Sequence, residues 1–179
     1  IRVCIMIEIS KSPVNSTQTS ESNVSRESLK EGISSHQKDV HNAMFFFIKE
    51  LFNSANKHDF TKVDNFDEFY SDFVKSKKTG VSFTESNWYK FHHNTERHHL
   101  LSNVPDDVNL VDVIEMICDC VVAAYSRTGK ITEPIELPNE VLQKAFSNTL
   151  IEIERHLLIT KKSDDTLFQK ALNFMKQLK

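Results

Sequence analysis

Apolar and polar positions change rhythm along the chain. Residues 10–35 are dense in Ser, Thr, Asn, Gln and Glu and nearly empty of large apolar side chains. Such a stretch has little to bury against the entropy of ordering. Residues 1–34 therefore read as an N-terminal arm, polar and flexible, either poorly ordered or docked on a partner. Its apolar start, residues 1–9, lacks an Ala-x-Ala-like cleavage site and is assigned no targeting role. Because the first residue is not Met, that start reads as a fragment edge.

From Ser35 the period becomes helical. Val40, Met44, Phe47, Ile48 and Leu51 recur at i, i+4, i+7, i+8 and i+11, which lines one face of a helix, and His36 stands one turn before Val40 on that face. A second helix is predicted from about Lys57 through Phe66, Phe69, Tyr70 and Phe73, up to a Lys-rich break at 75–81 that contains Gly80. A third covers 85 to about 97. Leu110, Val113, Ile114, Ile117, Val121 and Ala124 mark a long apolar helix that Gly129 stops. Pro138 opens another, carried by Val141, Leu142, Ala145, Phe146, Thr149, Leu150 and Ile153, and a short helix over 164–178 closes the chain. The expected fold class is all-α, a helical bundle over residues 35–179.

Composition sharpens that picture. A chain of 179 residues suits one ordinary domain. Only 3 Gly and 4 Pro favour long helices with few tight turns, and 13 Phe supply the core, the Phe45-Phe46-Phe47 run included. A net charge of −3 leaves no excess of cations, so extensive nucleic-acid binding is not expected. No apolar run approaches the roughly 20 residues of a membrane helix, so no membrane association is expected either. Cys4, Cys118 and Cys120 cannot all pair with one another, and C-x-C is not the spacing of a zinc knuckle; reduced thiols and a cytoplasmic protein are expected. The chain contains no internal repeat, Gly-rich phosphate loop or G-x-S-x-G elbow.

Candidate chemistry lies in the histidines. Seven of the eight fall between His36 and His99, several beside acidic residues. Imidazole and carboxylate together suit zinc, iron, manganese, nickel or cobalt, and helices can direct them into one bundle core. Asp119 interrupts an otherwise apolar run from Met116 to Ala124, and a buried, unpaired carboxylate there would cost several kcal/mol. Glu115 precedes it by one turn, a like-charge pair that makes sense beside positive charge. A cation would supply that charge; so would a buried Arg, Lys or protonated His.

The order His36, His58-Asp59, His92, His98 or His99, Asp119 resembles the ligand set H…HD…H…H…D of the HD superfamily of metal-dependent hydrolases. The segments HQKDV, KHDFTK, WYKFHHNTERHH, LVDVIEMICD and FSNT are similar to an HD-like branch found in phages and bacteria, over roughly 35–153. Lys62 fits that branch's HD-x-Ser-Lys motif, with Thr61 in place of Ser; Glu115, Met116 and Asp119 fit its last motif. Three departures stand out: Glu96 where Asn is usual, Leu100-Leu101 where Pro-Glu is common, and Cys120 where Trp is common.

The resemblance implies an HD-domain-like bundle and a first metal site of His36, His58, Asp59 and Asp119. Asp59 would bridge to a second ion held by His92 and by His98 or His99. One or two divalent ions (Mn, Fe, Zn, Ni, Co or Mg) would activate water for phosphoester hydrolysis of a nucleotide or another small phosphorylated metabolite. Asp59, Lys62 and Glu115 are the catalytic candidates, with Asp67 and Glu68 as further outer acids, and Lys62 and Arg97 the substrate-binding ones. His41 is expected at the flank, His93 as an orienting neighbour, and His156 at the surface. Two other readings share these residues: an HD-type di-iron oxygenase, and a non-catalytic module that binds a nucleotide or a protein. A homo-oligomer fits any of them, and a phage-encoded protein would work in the host cytoplasm.

Overall fold

The computed structural model describes residues 6–10, 25–131 and 136–160. It is mostly helical, as the periodicity predicts: α1 Arg26–Lys57, α2 Phe60–Asp64, α3 Phe66–Thr79, α4 Asn87–Thr95, α5 Leu110–Thr128 and α6 Asn139–His156. A 3₁₀ turn, Phe83–Glu85, precedes α4. Two short strands, β1 Ile7–Ser10 and β2 Leu157–Thr160, pair in parallel with Ile7 opposite Leu157. The helix expected over 164–178 lies outside the described residues. Among the described residues no helix is long and apolar enough to cross a membrane.

The chain separates into two compact units, Ile1–Lys49 with Ile151–Lys179, and Glu50–Leu150. α1 begins at Arg26, inside the stretch read as an arm. Ser25 makes that start possible: its hydroxyl accepts from the Ser28 amide at 3.1 Å, an N-cap that satisfies one of the helix's free donors. The residues behind the cap are mostly polar, and the helix runs through Gly32, whose cost of about 1 kcal/mol it absorbs.

In the first unit, Ile7, Phe45 and Phe46 are buried, and the Phe46 ring meets His156 with centroids 4.8 Å apart. His156 is thus half-buried, against the surface position expected of it. The predicted stripe on α1 is out of phase with the packing. Val40, Met44 and Ile48 are exposed, while Phe45 and Phe46 are covered. A helix bearing two apolar stripes offers two faces, and its periodicity alone does not choose between them.

In the second unit, Leu100, Val108, Val113, Met116 and Ala145 form the core, edged by Val104, Leu110, Cys120 and Leu137. A capping box opens α5: Asn109 accepts from the Val111 and Asp112 amides, and Asp112 accepts from the Asn109 amide. Gly129, at φ 69°, ends it as the sequence suggests. Phe69, Phe83 and Trp88 interlock α3, the 3₁₀ turn and α4, with Phe69 and Trp88 centroids 4.6 Å apart. Trp88 in turn stacks on His92 at 4.9 Å, so this aromatic group holds one wall of the site described next.

Candidate metal centre

Three short elements of the second unit deliver the polar cluster. His58 and Asp59 occupy the turn between α1 and α2, where Asp59 takes a left-handed conformation, φ 58° and ψ 26°. Asp is among the few non-glycine residues that visit this region readily, and such conformations concentrate at functional sites. α4 contributes His92. The segment after α4 contributes His98 and His99, held down by Leu100 in the core.

The ligand atoms of Asp59, His92, His98 and His99 lie within 4.8 Å of one another, as do those of His58, His98 and Glu115. Asp59 Oδ1 stands 3.4 Å from His92 Nε2 and 3.7 Å from His98 Nε2. His92 Nε2 and His99 Nε2 face each other at 2.8 Å. His58 Nε2 lies 3.5 Å from Asp59 Oδ2 and 3.6 Å from Asp119 Oδ1. Lys62 closes the cluster through an ion pair with Asp59 Oδ2.

Behind the imidazoles runs a second layer of partners. Glu115 Oε1 is 3.0 Å from Nδ1 of both His58 and His98, although the His98 contact lacks the alignment of a hydrogen bond. The other Glu115 oxygen accepts from the Ser54 hydroxyl. On the far side, Thr61 Oγ1 meets His92 Nδ1 at 2.6 Å and donates to Glu96 Oε1 at 2.6 Å, and the Thr61 amide also donates to that oxygen at 2.8 Å. A hydroxyl has one proton. Because Thr61 gives it to Glu96, it must accept from His92, which places the His92 proton on Nδ1 and a lone pair on Nε2. The carboxylates behind the histidines thus turn their Nε2 atoms toward Asp59, the arrangement found around metal ligands.

Charge follows the same division. Burial, with Lys62 and neighbouring imidazoles, pushes His92 down to about 4. Burial and His98, His93 and His92 push His99 down to about 3. Burial opposes ionisation of Glu115, yet contacts from His98, Ser54 and His58 outweigh it and hold the group at about 2. For His98, burial is likewise outweighed, by Glu115 and then Asp119 and Asp59, and its imidazole sits above the usual value. Asp59 is held below its ordinary value because Lys62, His58 and His92 outweigh burial.

A cation fits this donor set. Asp59 Oδ1 and both ring nitrogens of His98 are buried without a hydrogen-bond partner, a condition that costs free energy unless something else coordinates them. A cluster of His, Asp and Glu that could hold a metal ion is therefore present, of mixed nitrogen and oxygen character suited to borderline divalent metals.

The sequence-predicted residues separate into two groups. His58, Asp59, Lys62, His92, His98, His99, Glu115 and Asp119 come together; His93 packs behind them, its ring stacked 3.7 Å from that of His99. His36 does not join them. It is exposed on α1 in the first unit, about six turns before Lys57 on one unbroken helix. His41 lies on the same stretch, its ring stacked on Phe45. Asp119 is less enclosed than expected, with 30% of its side chain exposed, because the apolar run around it leaves Ile117 and Val122 in solvent.

Arg97 is likewise no free anion ligand. Its guanidinium forks onto buried Asp112 at 2.7 and 2.8 Å and also bonds Asp107 at 2.9 Å, which ties the His98-His99 segment to the start of α5. Asp67 and Glu68 line a different cavity, beside Asp72 and Trp88. Thr61, Glu96 and Ser54 carry roles that sequence reasoning missed. Ser54 stands one helical turn before His58, and that spacing was its one local signal.

Next to the cluster, a cavity of about 420 Å³ opens between α1 and α5, with Leu51, Ala55, Ile114, Cys118 and Val122 in its walls and His58, Glu115 and Asp119 at one end. Cys118 and Cys120 carry free thiols.

No curated protein and no solved structure matches the chain. The sequence pattern of DUF5662, a family of unknown function, matches residues 25–158, from the cap of α1 into β2 and across every residue of the cluster, and the chain belongs to that family.

Proposed function

We propose that the chain is an HD-type, metal-dependent phosphohydrolase that uses activated water on a nucleotide or another small phosphorylated metabolite. The observation that carries this reading is the convergence of Asp59 Oδ1 with Nε2 of His92, His98 and His99, where buried polar atoms lack hydrogen-bond partners. A bound divalent ion would polarise a phosphoryl oxygen and acidify a water from about 16 toward about 7. The ligands would be Asp59, His92, His98 and His99, with His58 and Asp119 completing a second position. Glu115 orients His58 and His98, and Thr61 with Glu96 fixes the His92 tautomer. Lys62, 41% exposed beside Asp59, faces solvent enough to meet an incoming phosphate.

One test pairs metal analysis of the purified protein with phosphate release from a panel of nucleotides and simple phosphate esters, with Asp59→Ala as control. Metal at stoichiometric levels and turnover lost in the variant are expected. Equal turnover in both proteins would refute the reading. A second reading, a di-iron oxygenase, is favoured by one feature: the cavity beside the cluster is walled by apolar groups, with no lysine or arginine among its lining residues. Oxygen consumption by iron-loaded protein, without phosphate release, would select it.

A further inference from the structure

The cavity beside the cluster bears on which molecule the site accepts. Its volume of about 420 Å³ falls within the about 300–1,000 Å³ of small-molecule pockets. Leu51 and Ala55 from α1 face Ile114, Cys118 and Val122 from α5, so apart from one thiol the walls are hydrocarbon. Polar groups gather at one end: His58, Glu115 and Asp119, together with the Ser54 hydroxyl already committed to Glu115. The lysine that touches the cluster, Lys62, is paired with Asp59.

From this asymmetry we infer that the substrate is a phosphate monoester of an apolar alcohol. A single phosphoryl group lies at the His58–Asp59–Asp119 end, and an aryl or branched-alkyl body fills the space between α1 and α5. The head group rests on the phosphohydrolase reading; the body rests on the cavity alone. A triphosphate fits poorly, because its several negative charges would run past Glu115 and Asp119 with one lysine to offset them. A sugar body fits poorly as well, because its hydroxyls would meet Leu51, Ile114 and Val122 without hydrogen-bond partners. In the reaction, the oxygen of water bonds to phosphorus, the phosphorus–alkoxy bond breaks, and the leaving oxygen takes up a proton. The products are inorganic phosphate and the apolar alcohol, with no oxidant or reductant required.

The test compares 1-naphthyl phosphate with glycerol phosphate, which share a head group, on manganese-loaded full-length protein. Naphthol binding by fluorescence, with chelator present, reads the cavity independently of turnover. Val122→Asp and Ile114→Asp each place a carboxylate in the wall; both positions are already exposed, at 66% and 44%, which favours folding of the variants. The naphthyl ester is expected to exceed the glycerol ester in kcat/KM by about tenfold or more, given the apolar area it buries. Each variant should erase that ratio and abolish naphthol binding while metal content stays at the wild-type level. Equal kcat/KM for the two esters, or naphthol binding unchanged in both variants, overturns the inference. No turnover of any ester, with naphthol binding still lost in both variants, overturns the phosphohydrolase reading and supports the apolar cavity.

Discussion

Thr61→Val isolates the hydrogen-bond chain behind His92. Thr61 is fully buried and valine has nearly its shape, so the substitution removes one oxygen and little volume. Two bonds disappear, from His92 Nδ1 and to Glu96 Oε1, while the Thr61 amide still reaches Glu96. Leaving a buried polar group without its partner costs about 1–3 kcal/mol, and His92 Nδ1 is the group left so, since Glu96 keeps the amide; a loss of about 1–3 kcal/mol in stability is expected. Without the hydroxyl, nothing holds the His92 proton on Nδ1, and its lone pair is no longer fixed on Nε2. Loss of a partner behind a ligand weakens metal binding by about 10–100-fold.

Thr61→Ser keeps the hydroxyl and loses only a methyl group, so it should cost about 1 kcal/mol and leave metal affinity near wild type. The assay is competition for manganese or zinc against a chromophoric chelator, with thermal melts of all three proteins. Val and Ser variants of equal metal affinity would refute the tautomer argument, whatever their melting temperatures.

Other consequences can be measured on the same protein. Chelation should lower the melting temperature, since an ion present at about 100 times its Kd adds about 2.7 kcal/mol to the folded state; melts that overlap with and without chelator would argue for a metal-free polar core. Metal-free protein should lose stability as pH falls from about 6.5. His92 and His99 have folded values near 4 and 3, so over that window the unfolded chain takes up protons that the folded one refuses. At pH 5 the loss is at most about 2 kcal/mol for each imidazole, and His98, shifted the other way, offsets part of it; denaturant titrations at pH 7 and pH 5 with equal midpoints would contradict this. Arg97→Ala should destabilise by about 1–3 kcal/mol because Asp112 stays buried, the figure being reduced for a guanidinium that is 40% exposed. A midpoint within error of wild type would show that the fork does not hold the segment.

The fold was legible where one signal dominated. Gly129 and Pro138 bracket α5 and α6 because a left-handed stop and a fixed φ are local requirements that a few residues meet. The start of α1 was hidden because its first turns are polar, and polarity speaks against burial without speaking against helix. Phe52 to Lys57 continue the helix beyond the apolar stripe and carry His58 directly into the turn. His36 belongs to the first unit, and the other members of the ordered set belong to the second.

Within the site, the ligand types were visible and their supports were not. Histidines and carboxylates announce themselves by chemistry, whereas Thr61 and Glu96 stand 35 residues apart and look like two unrelated departures from the branch's Ser and Asn. The fold makes them one unit: the Thr61 hydroxyl and amide both end on a single Glu96 oxygen, and the hydroxyl faces His92. Loss of the hydroxyl at 61 or of the acceptor at 96 would strand a buried polar group. Threonine and glutamate therefore belong together here, and Glu96, a departure from the branch's usual Asn, is tied to the histidine cluster through Thr61 and His92. Glu96→Gln tests this, since the amide oxygen still accepts from Thr61 while the negative charge is gone. Metal affinity close to wild type is expected for Gln and a drop of about tenfold or more for Ala; equal losses in both would assign the role to charge instead of to the hydrogen-bond chain.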